Sequence, residues 1–211
     1  TSSFPLGSDM ITTGRADFLR LSCLTFNVLA PCYKRLGGGR REAEEEHLFM
    51  PRHTGITELL VEQKPDIICL QEFWFQSSVR ELYEQALHED YQLYTLKRPG
   101  LKQDGLLTCV RRDFNVKAVT SLDYEDVGSR VALLLHLEKT HDDGTSADFI
   151  VANTHLTYPH DAFDEELRMH QTRKLADTVL DFERETNAQA SLIAGDMNAD
   201  YLSWCCRHLA E

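Results

Sequence analysis

The chain has 211 residues, 42% of them hydrophobic, 9% aromatic and 27% charged, a mixture apolar enough to bury a core and too apolar to stay disordered. Lys and Arg number 22 against 34 Asp and Glu, so the formal charge is −12 and no whole-molecule positive field exists to hold a polyanion. A nucleic-acid ligand would therefore need a local basic patch or a metal ion. The longest apolar runs, at 131–135 and 149–152, fall far short of the roughly 20 residues that span a bilayer, so no transmembrane segment is expected. The first residues lack both an initiating Met and the apolar core of a secretory signal, which reads as a processed or partial chain. Residues 1–18 are expected to be an N-terminal extension and 19–211 a single domain.

In chain order, 21–29 (LSCLTFNVL) is an apolar run expected to form a strand buried on both faces, as is 66–72 (DIICLQE). Between them, GGGRREAEEE reads as a solvated loop that leads into a helix at 53–63. Amphipathic spacing predicts a second helix over 77–88, then strands at 91–96, 106–110, 130–137 and 149–156. The HDDGTS stretch, 141–146, is a hairpin turn between the last two. The longest helical pattern covers 164–186, and SLIAGDMN, 191–198, is a final buried strand. Strands alternating with long helices and then hairpins indicate a layered α/β protein with mixed sheets. Of the six cysteines, Cys23, Cys69 and Cys109 sit inside apolar runs and not in CxxC pairs. They read as small buried hydrophobes of a reducing, intracellular compartment, cytoplasm or nucleus before an organelle. The adjacent Cys205 and Cys206 keep a disulfide or zinc role as the alternative.

Polar residues recur where these strands end: Asn27, Gln71 and Glu72, Asn153 and His155, Asp196 and Asn198. Ligands of layered α/β proteins gather outside strand ends, so residues distant in sequence can meet in one cleft there. Hard oxygen ligands from Glu72 and Asn27 suit a magnesium ion that keeps several waters, with manganese as a substitute. Asp196 can orient or deprotonate a water, Asn198 can hold a phosphoryl oxygen, and His155 can stabilise charge developing on the phosphorus centre. Together these describe metal-assisted phosphodiester hydrolysis. No GxSxG elbow, Walker-type loop or dinucleotide glycine fingerprint competes with that chemistry.

TFNVL, ICLQE, QDGLLT, VANTHL and IAGDMN stand in this order over 21–200, and with them the chain resembles the endonuclease/exonuclease/phosphatase superfamily. The VANTHL form and the spacing are most similar to the branch of Ccr4-type deadenylases and nocturnin, with a plant-like member as the nearest likeness. The resemblance implies a four-layered α/β sandwich of the DNase I type and a divalent ion, usually magnesium. It makes Glu72 the metal-binding glutamate, Asn27 its neighbour, and His155 the histidine near the scissile phosphate. Asp196 and Asn198 become the pair that positions water and phosphoryl group, while Asp104 and Gly105 form a mainly structural turn. Asn153, Lys102 and Arg112 are candidate substrate contacts, the last two within a basic group that includes Lys97, Arg98 and Arg111. Tyr94 and Tyr158 are candidate stacking platforms.

The leading expectation is a nuclease acting on RNA before DNA, first as a 3′ exonuclease of the deadenylase kind, with no obligate protein partner indicated. A phospholipid or inositol-phosphate substrate is the alternative that the aromatics of QEFWF, Phe73 to Phe75, suggest. A regulatory or scaffold form without turnover is the third reading. It draws on a departure from the family, which places a further Asp and an Asp-His pair after the GDMN block, whereas this sequence has no Asp-His dipeptide. The domain is accordingly expected to lack its C-terminal part and to leave its second sheet incomplete. Some plant relatives carry calcium-binding EF-hands beyond the catalytic domain, and no such loop occurs in these residues. Open strand edges and uncovered apolar surface cost stability. A chain extended past Glu211 is expected to melt at a higher temperature than these 211 residues alone, and equal midpoints in a thermal scan would count against this.

Overall fold

The computed structural model describes residues 20–140 and 143–210. The extension expected at 1–18, and His141 and Asp142 of the expected turn, lie outside the described residues. The chain runs β1 (Cys23–Asn27), α1 (Glu46–Gln63), β2 (Ile67–Trp74), α2 (Ser77–Leu87), β3 (Tyr91–Lys97), β4 (Asp104–Arg111), β5 (Asn115–Asp123) and β6 (Val131–Thr140). It continues through β7 (Ser146–His155), α3 (Ala162–Thr186), β8 (Ala190–Asp196) and α4 (Trp204–Ala210). The strands form two four-stranded mixed sheets, ordered β1-β2-β4-β3 and β5-β6-β7-β8. Each sheet contains one parallel pair, β1 with β2 and β7 with β8, joined by a long helical crossover as parallel pairing requires.

The alternation of side chains along β2 generates two of the layers. Ile68, Leu70 and Phe73 face outward, where Phe49 and Leu60 of α1 and Val79 and Tyr83 of α2 cover them. Ile67 and Cys69 face inward and meet Leu133, Leu135 and Val151 of the second sheet. On the far side, Leu175, Val179 and Phe182 of α3 pack on Leu134, Ile150 and Ala152. The result is helix, sheet, sheet, helix: a four-layered α/β sandwich. Asp161 caps α3 by accepting from the backbone N–H of Phe163 and Asp164, while Asp164 accepts in return from the N–H of Asp161, a reciprocal box that fixes where the helix starts.

Several expectations change. β1 and β8 are not buried on both faces; each is an edge strand with one neighbour, and Phe26 in β1 is 41% exposed. Cys23 is exposed for the same reason, whereas Cys69 and Cys109 are buried. An apolar run alone cannot distinguish a central strand from an edge. α1 begins at Glu46, two turns before the expected 53, and runs through Pro51, whose missing N–H removes one helical hydrogen bond. β5 escaped the reading because it is the other edge of its sheet and alternates exposed residues along most of its length. Phe73, Trp74 and Phe75 pack in the core below α2, with Phe73 edge-on to both Phe75 and Tyr83, so the feature behind the lipid alternative is a packed connection.

One polar contact crosses the sheet interface. Asn153 of β7, fully buried, accepts from the Gln71 amide at 2.9 Å and donates to the carbonyls of Leu70 and Leu107 and to the Thr108 hydroxyl, each at 3.2 Å. Gln71, also buried, donates in addition to the Cys69 carbonyl at 2.9 Å. The expected substrate contact at Asn153 is therefore a bolt between sheets, facing the core and not the cleft. Removing one partner of a buried amide pair leaves the other unsatisfied, at about 1–3 kcal/mol per group. Asn153→Ala is expected to destabilise by about 2 kcal/mol or more and to lower the melting midpoint by roughly 5 °C, given about 2–4 °C per kcal/mol for a domain of this size; an unchanged midpoint would show that the amide pair does not hold the sheets.

Candidate active site

The two parallel pairs point the same way. β1 and β2 pair with Asn27 opposite Gln71, and β7 and β8 pair with His155 opposite Asp196, so the carboxyl ends of all four strands open on one cleft. Strict alternation along β2 would send Glu72 into the helix-side core and Phe73 into the sheet interface. A bulge prevents this: Gln71 pairs with Leu106 and Phe73 with Gly105, leaving Glu72 as the extra residue at a left-handed φ of 56°. Phe73 keeps its place against the helices while Glu72 is freed to turn to the strand end. Gly105 is needed opposite, since a Cβ there would lie 2.1 Å from the Leu96 carbonyl oxygen and 2.9 Å from the Phe75 ring. At the second pair, Gly195 adopts φ 153° where a Cβ would meet the Thr154 carbonyl oxygen at 2.1 Å. That close approach sets Asp196 beside His155.

The side chains form one connected cluster in a cavity of about 700 Å³. Asn27 donates through Nδ2 to Glu72 Oε1 at 3.1 Å and to Asp196 Oδ2 at 2.9 Å, tying the two sheets' carboxylates to one amide. The second oxygen of Glu72 accepts from the Ala30 N–H at 2.9 Å. Asp196 Oδ1 accepts from the N–H of Asn198, whose Nδ2 donates to the Leu156 carbonyl at 2.9 Å. His155 is buried with Nδ1 2.9 Å from Arg130 Nη1 and Nε2 3.7 Å from Asp196 Oδ2. A guanidinium can only donate, so Nδ1 is the acceptor and the imidazole proton sits on Nε2, toward the carboxylate. Burial and then the charges of Arg130 and Arg98 hold His155 well below its ordinary pKa of 6.5, so the ring is neutral at neutral pH.

Burial pushes the Glu72 carboxyl above its usual range, against the opposing effects of the Asn27 and Ala30 hydrogen bonds. A half-buried carboxylate that shares an amide with a second carboxylate, and has no ion-pair partner among the described residues, is suited to a cation. Oxygen donors fit a hard divalent ion such as magnesium. Among the described residues no group of three or more His, Cys, Asp or Glu gathers as a closed metal cage. Glu72 with Asn27 beside it would thus hold an ion that retains much of its water.

Of the residues singled out by sequence, Asn27, Glu72, His155, Asp196, Asn198 and Lys102 line the cleft, and Tyr158 stands at its rim, 54% exposed. Arg112 does not. It lies past the opposite end of β4, where its guanidinium donates twice to the His88 carbonyl, at 2.9 and 2.7 Å, and Arg111 sits beside it. Sequence proximity to the QDG turn misled here, because an eight-residue strand carries the chain some 25 Å away from it. Tyr94 is half-buried in the sheet interface. Asp104 and Arg98 form a buried ion pair at 3.0 Å, joined by the Tyr33 hydroxyl 2.9 Å from Asp104, and Arg98 also donates to the carbonyls of Gly128 and Ser129. This clamp holds the cleft's rim and fits the structural role assigned to Asp104. Arg130 was missed; its position just before an apolar strand antiparallel to β7 is the signal that would have found it.

The cluster gathers two carboxylates, an imidazole and two amides in one cleft of a four-layered α/β sandwich. Residues 24–210 match the Endonuclease/Exonuclease/phosphatase family, and the chain belongs to that family, whose members are hydrolases acting on phosphoesters. It is 34% identical over 192 residues to an uncharacterized calcium-binding protein of Arabidopsis thaliana, covering 84% of this chain and 40% of the relative. Its fold is similar to that of ANGEL2, described as a 2′,3′-cyclic phosphatase, with a TM-score of 0.69 at 19% identity over 88% of this chain and 55% of the other. It is also similar to the human nocturnin catalytic domain, with a TM-score of 0.63 at 18% identity over 90% of this chain and 69% of the other. The chain spans less than two thirds of the plant relative and of ANGEL2. Among the described residues no helix is long and apolar enough to cross a membrane.

Binding to the native state alone stabilises by RT ln(1 + [L]/Kd), so magnesium at ten times its Kd is expected to add roughly 1.4 kcal/mol and raise the melting midpoint. Glu72→Gln, which keeps the shape and removes the charge, is expected to abolish that rise; an equal rise in the variant would place the ion elsewhere.

Proposed function

We propose that this chain carries the cleft of a divalent-metal-dependent phosphodiesterase acting on nucleic acid, with RNA shortened from its 3′ end as the first substrate. The observation that carries the reading is the convergence of Glu72, Asn27, His155, Asp196 and Asn198 at the carboxyl ends of two parallel strand pairs. Bound at Glu72, magnesium would polarise a phosphoryl oxygen and offset charge developing there. Asp196, its carboxylate fixed by Asn27 and by the Asn198 N–H, orients a water for attack. The neutral His155 offers its Nε2–H to a phosphoryl oxygen, held in that tautomer by Arg130. Asn198 has one amide N–H left after its bond to Leu156 and presents it to the same group. Arg130 adds fixed positive charge where the transition state gains negative charge. Fixed donors of this kind are each worth about 10²–10³ in rate.

Tyr158, exposed at the rim with its ring 4.8 Å from that of His160, favours a nucleobase-bearing substrate. The family's description, Endonuclease/Exonuclease/phosphatase, and a structure of similar fold described as a 2′,3′-cyclic phosphatase keep both nuclease and phosphatase chemistry within range. Labelled RNA with a 3′ poly(A) tail, incubated with magnesium or with chelator, is expected to shorten only with magnesium, and Glu72→Ala and Asp196→Ala are each expected to slow shortening by at least about 100-fold. The comparison is made on the 211 residues and on a chain extended past Glu211. No magnesium-dependent cleavage in either, or cleavage untouched by both substitutions, would overturn the reading.

A further inference from the structure

One wall of the cleft is a short ribbon that the sequence pattern marks as a solvated loop. Its backbone closes from the Leu36 N–H to the Arg40 carbonyl at 2.9 Å and from the Glu42 N–H to the Lys34 carbonyl at 3.0 Å, around Gly37–Gly39. Gly38 and Gly39 supply the left-handed φ values, 73° and 79°, that so tight a turn requires. This register sets Arg35 directly opposite Arg41. Residues opposite each other in an antiparallel pair share a face, and like charges there are destabilising.

The other face obeys the usual rule. Lys34 stands opposite Glu42 with Nζ 2.7 Å from Oε1, and Arg52 reaches Oε2 at 2.6 Å. Burial raises the Glu42 carboxyl, but the Lys34 and Arg52 hydrogen bonds outweigh it and hold the group below its ordinary pKa. Arg40, just outside the pair, is matched to Glu45 at 2.7 Å. The ribbon thus neutralises its charges everywhere except on the face lining the cleft. There Arg35 and Arg41 are joined by Lys102 from the turn before β4. Among the described residues none of the three has a carboxylate partner, and Arg41 makes only a 3.5 Å contact to the Tyr33 carbonyl. Three unmatched cations lining one cavity of a chain with net charge −12 are a cost that a bound anion would remove. The cavity, about 700 Å³, is also larger than one phosphoryl group fills.

We propose that Arg35, Arg41 and Lys102 form a second anion subsite, which holds the phosphate of the nucleotide next to the scissile bond and so selects single-stranded nucleic acid over an isolated phosphodiester. The identity of the neighbouring group rests on the phosphodiesterase reading, whereas the subsite itself is a matter of binding. A fluorescent phosphorothioate tetranucleotide, titrated in chelator and followed by anisotropy at several salt concentrations, tests it without turnover. The intact chain is expected to bind the tetranucleotide at least tenfold more tightly than a mononucleotide. Arg35→Gln/Arg41→Gln is expected to abolish that preference and to lower the slope of log K against log salt by about 1.4, two single-strand phosphate contacts at about 0.7 each. Arg111→Gln/Arg112→Gln, at the far end of β4, removes the same charge and is expected to change neither quantity. Because the substitution relieves a like-charge pair, its melting midpoint is expected to stay level or rise, which separates lost binding from lost folding. Equal loss in both double variants would reduce the effect to overall charge and overturn the subsite, as would unchanged binding in Arg35→Gln/Arg41→Gln or no tetranucleotide preference in the intact chain. Magnesium-dependent hydrolysis of bis(p-nitrophenyl) phosphate is measured separately on this chain and on the chain extended past Glu211; tetranucleotide binding with hydrolysis in neither would remove the phosphodiesterase reading and leave the subsite standing.

Discussion

The hydrogen bond that the Gln71 amide donates to Asn153 decides how the two sheets meet, and the cleft depends on that meeting. Apolar side chains across the interface would tolerate a slide of one sheet over the other, since dispersion and burial are nearly indifferent to direction. A fully buried amide pair is not indifferent. Asn153 reaches two carbonyls and a hydroxyl of the first sheet besides Gln71, so displacement in either direction strands several polar groups. Two residues beyond Asn153 on the same face comes His155, and one residue beyond Gln71 comes Glu72. Fixing the amides therefore fixes the distance between the residues that matter, and the Asn27 amide completes the tie by bonding a carboxylate from each sheet.

Local departures from regular structure sit where this arrangement requires them. Glu72 and Asn198 take left-handed backbone angles, φ 56° and 47°, and Gly195 tolerates a contact that no side chain could. Such conformations cost of order 1–3 kcal/mol each and persist only where their surroundings hold them. The bulge at Glu72 serves both layers at once, giving Phe73 to the core and the carboxylate to the cleft.

Charge is distributed on the same plan. The molecule is acidic, yet its cleft collects Arg35, Arg41, Lys102 and Arg130 beside three carboxylates, Glu72, Asp196 and the helix-capping Asp164. Arg98 takes no share in that positive surface, because Asp104 neutralises it and its other donors are spent on the rim carbonyls. Charges within a Debye length, about 8–10 Å at ordinary salt, still act on one another, so a short basic wall can attract an anion that the molecule as a whole repels.

The layered α/β class, most of the strands and the core of the helices were legible in sequence, because the periods of helix and strand follow from backbone geometry alone. So was the gathering of Asn27, Glu72, His155, Asp196 and Asn198 near strand ends, because polar residues that interrupt buried strands must be satisfied by something. The sequence by itself thus determined which residues end the strands and what chemistry they can support. Only the tertiary structure decided that Asn153 is a bolt and not a contact, that Arg112 stands at the wrong end of β4, that Arg130 holds His155, and that β1 and β8 are edges. The reason is common to all four: a residue's period assigns it a face of its own element, but which neighbour covers that face, and at which end, is set by contacts between residues far apart in the chain.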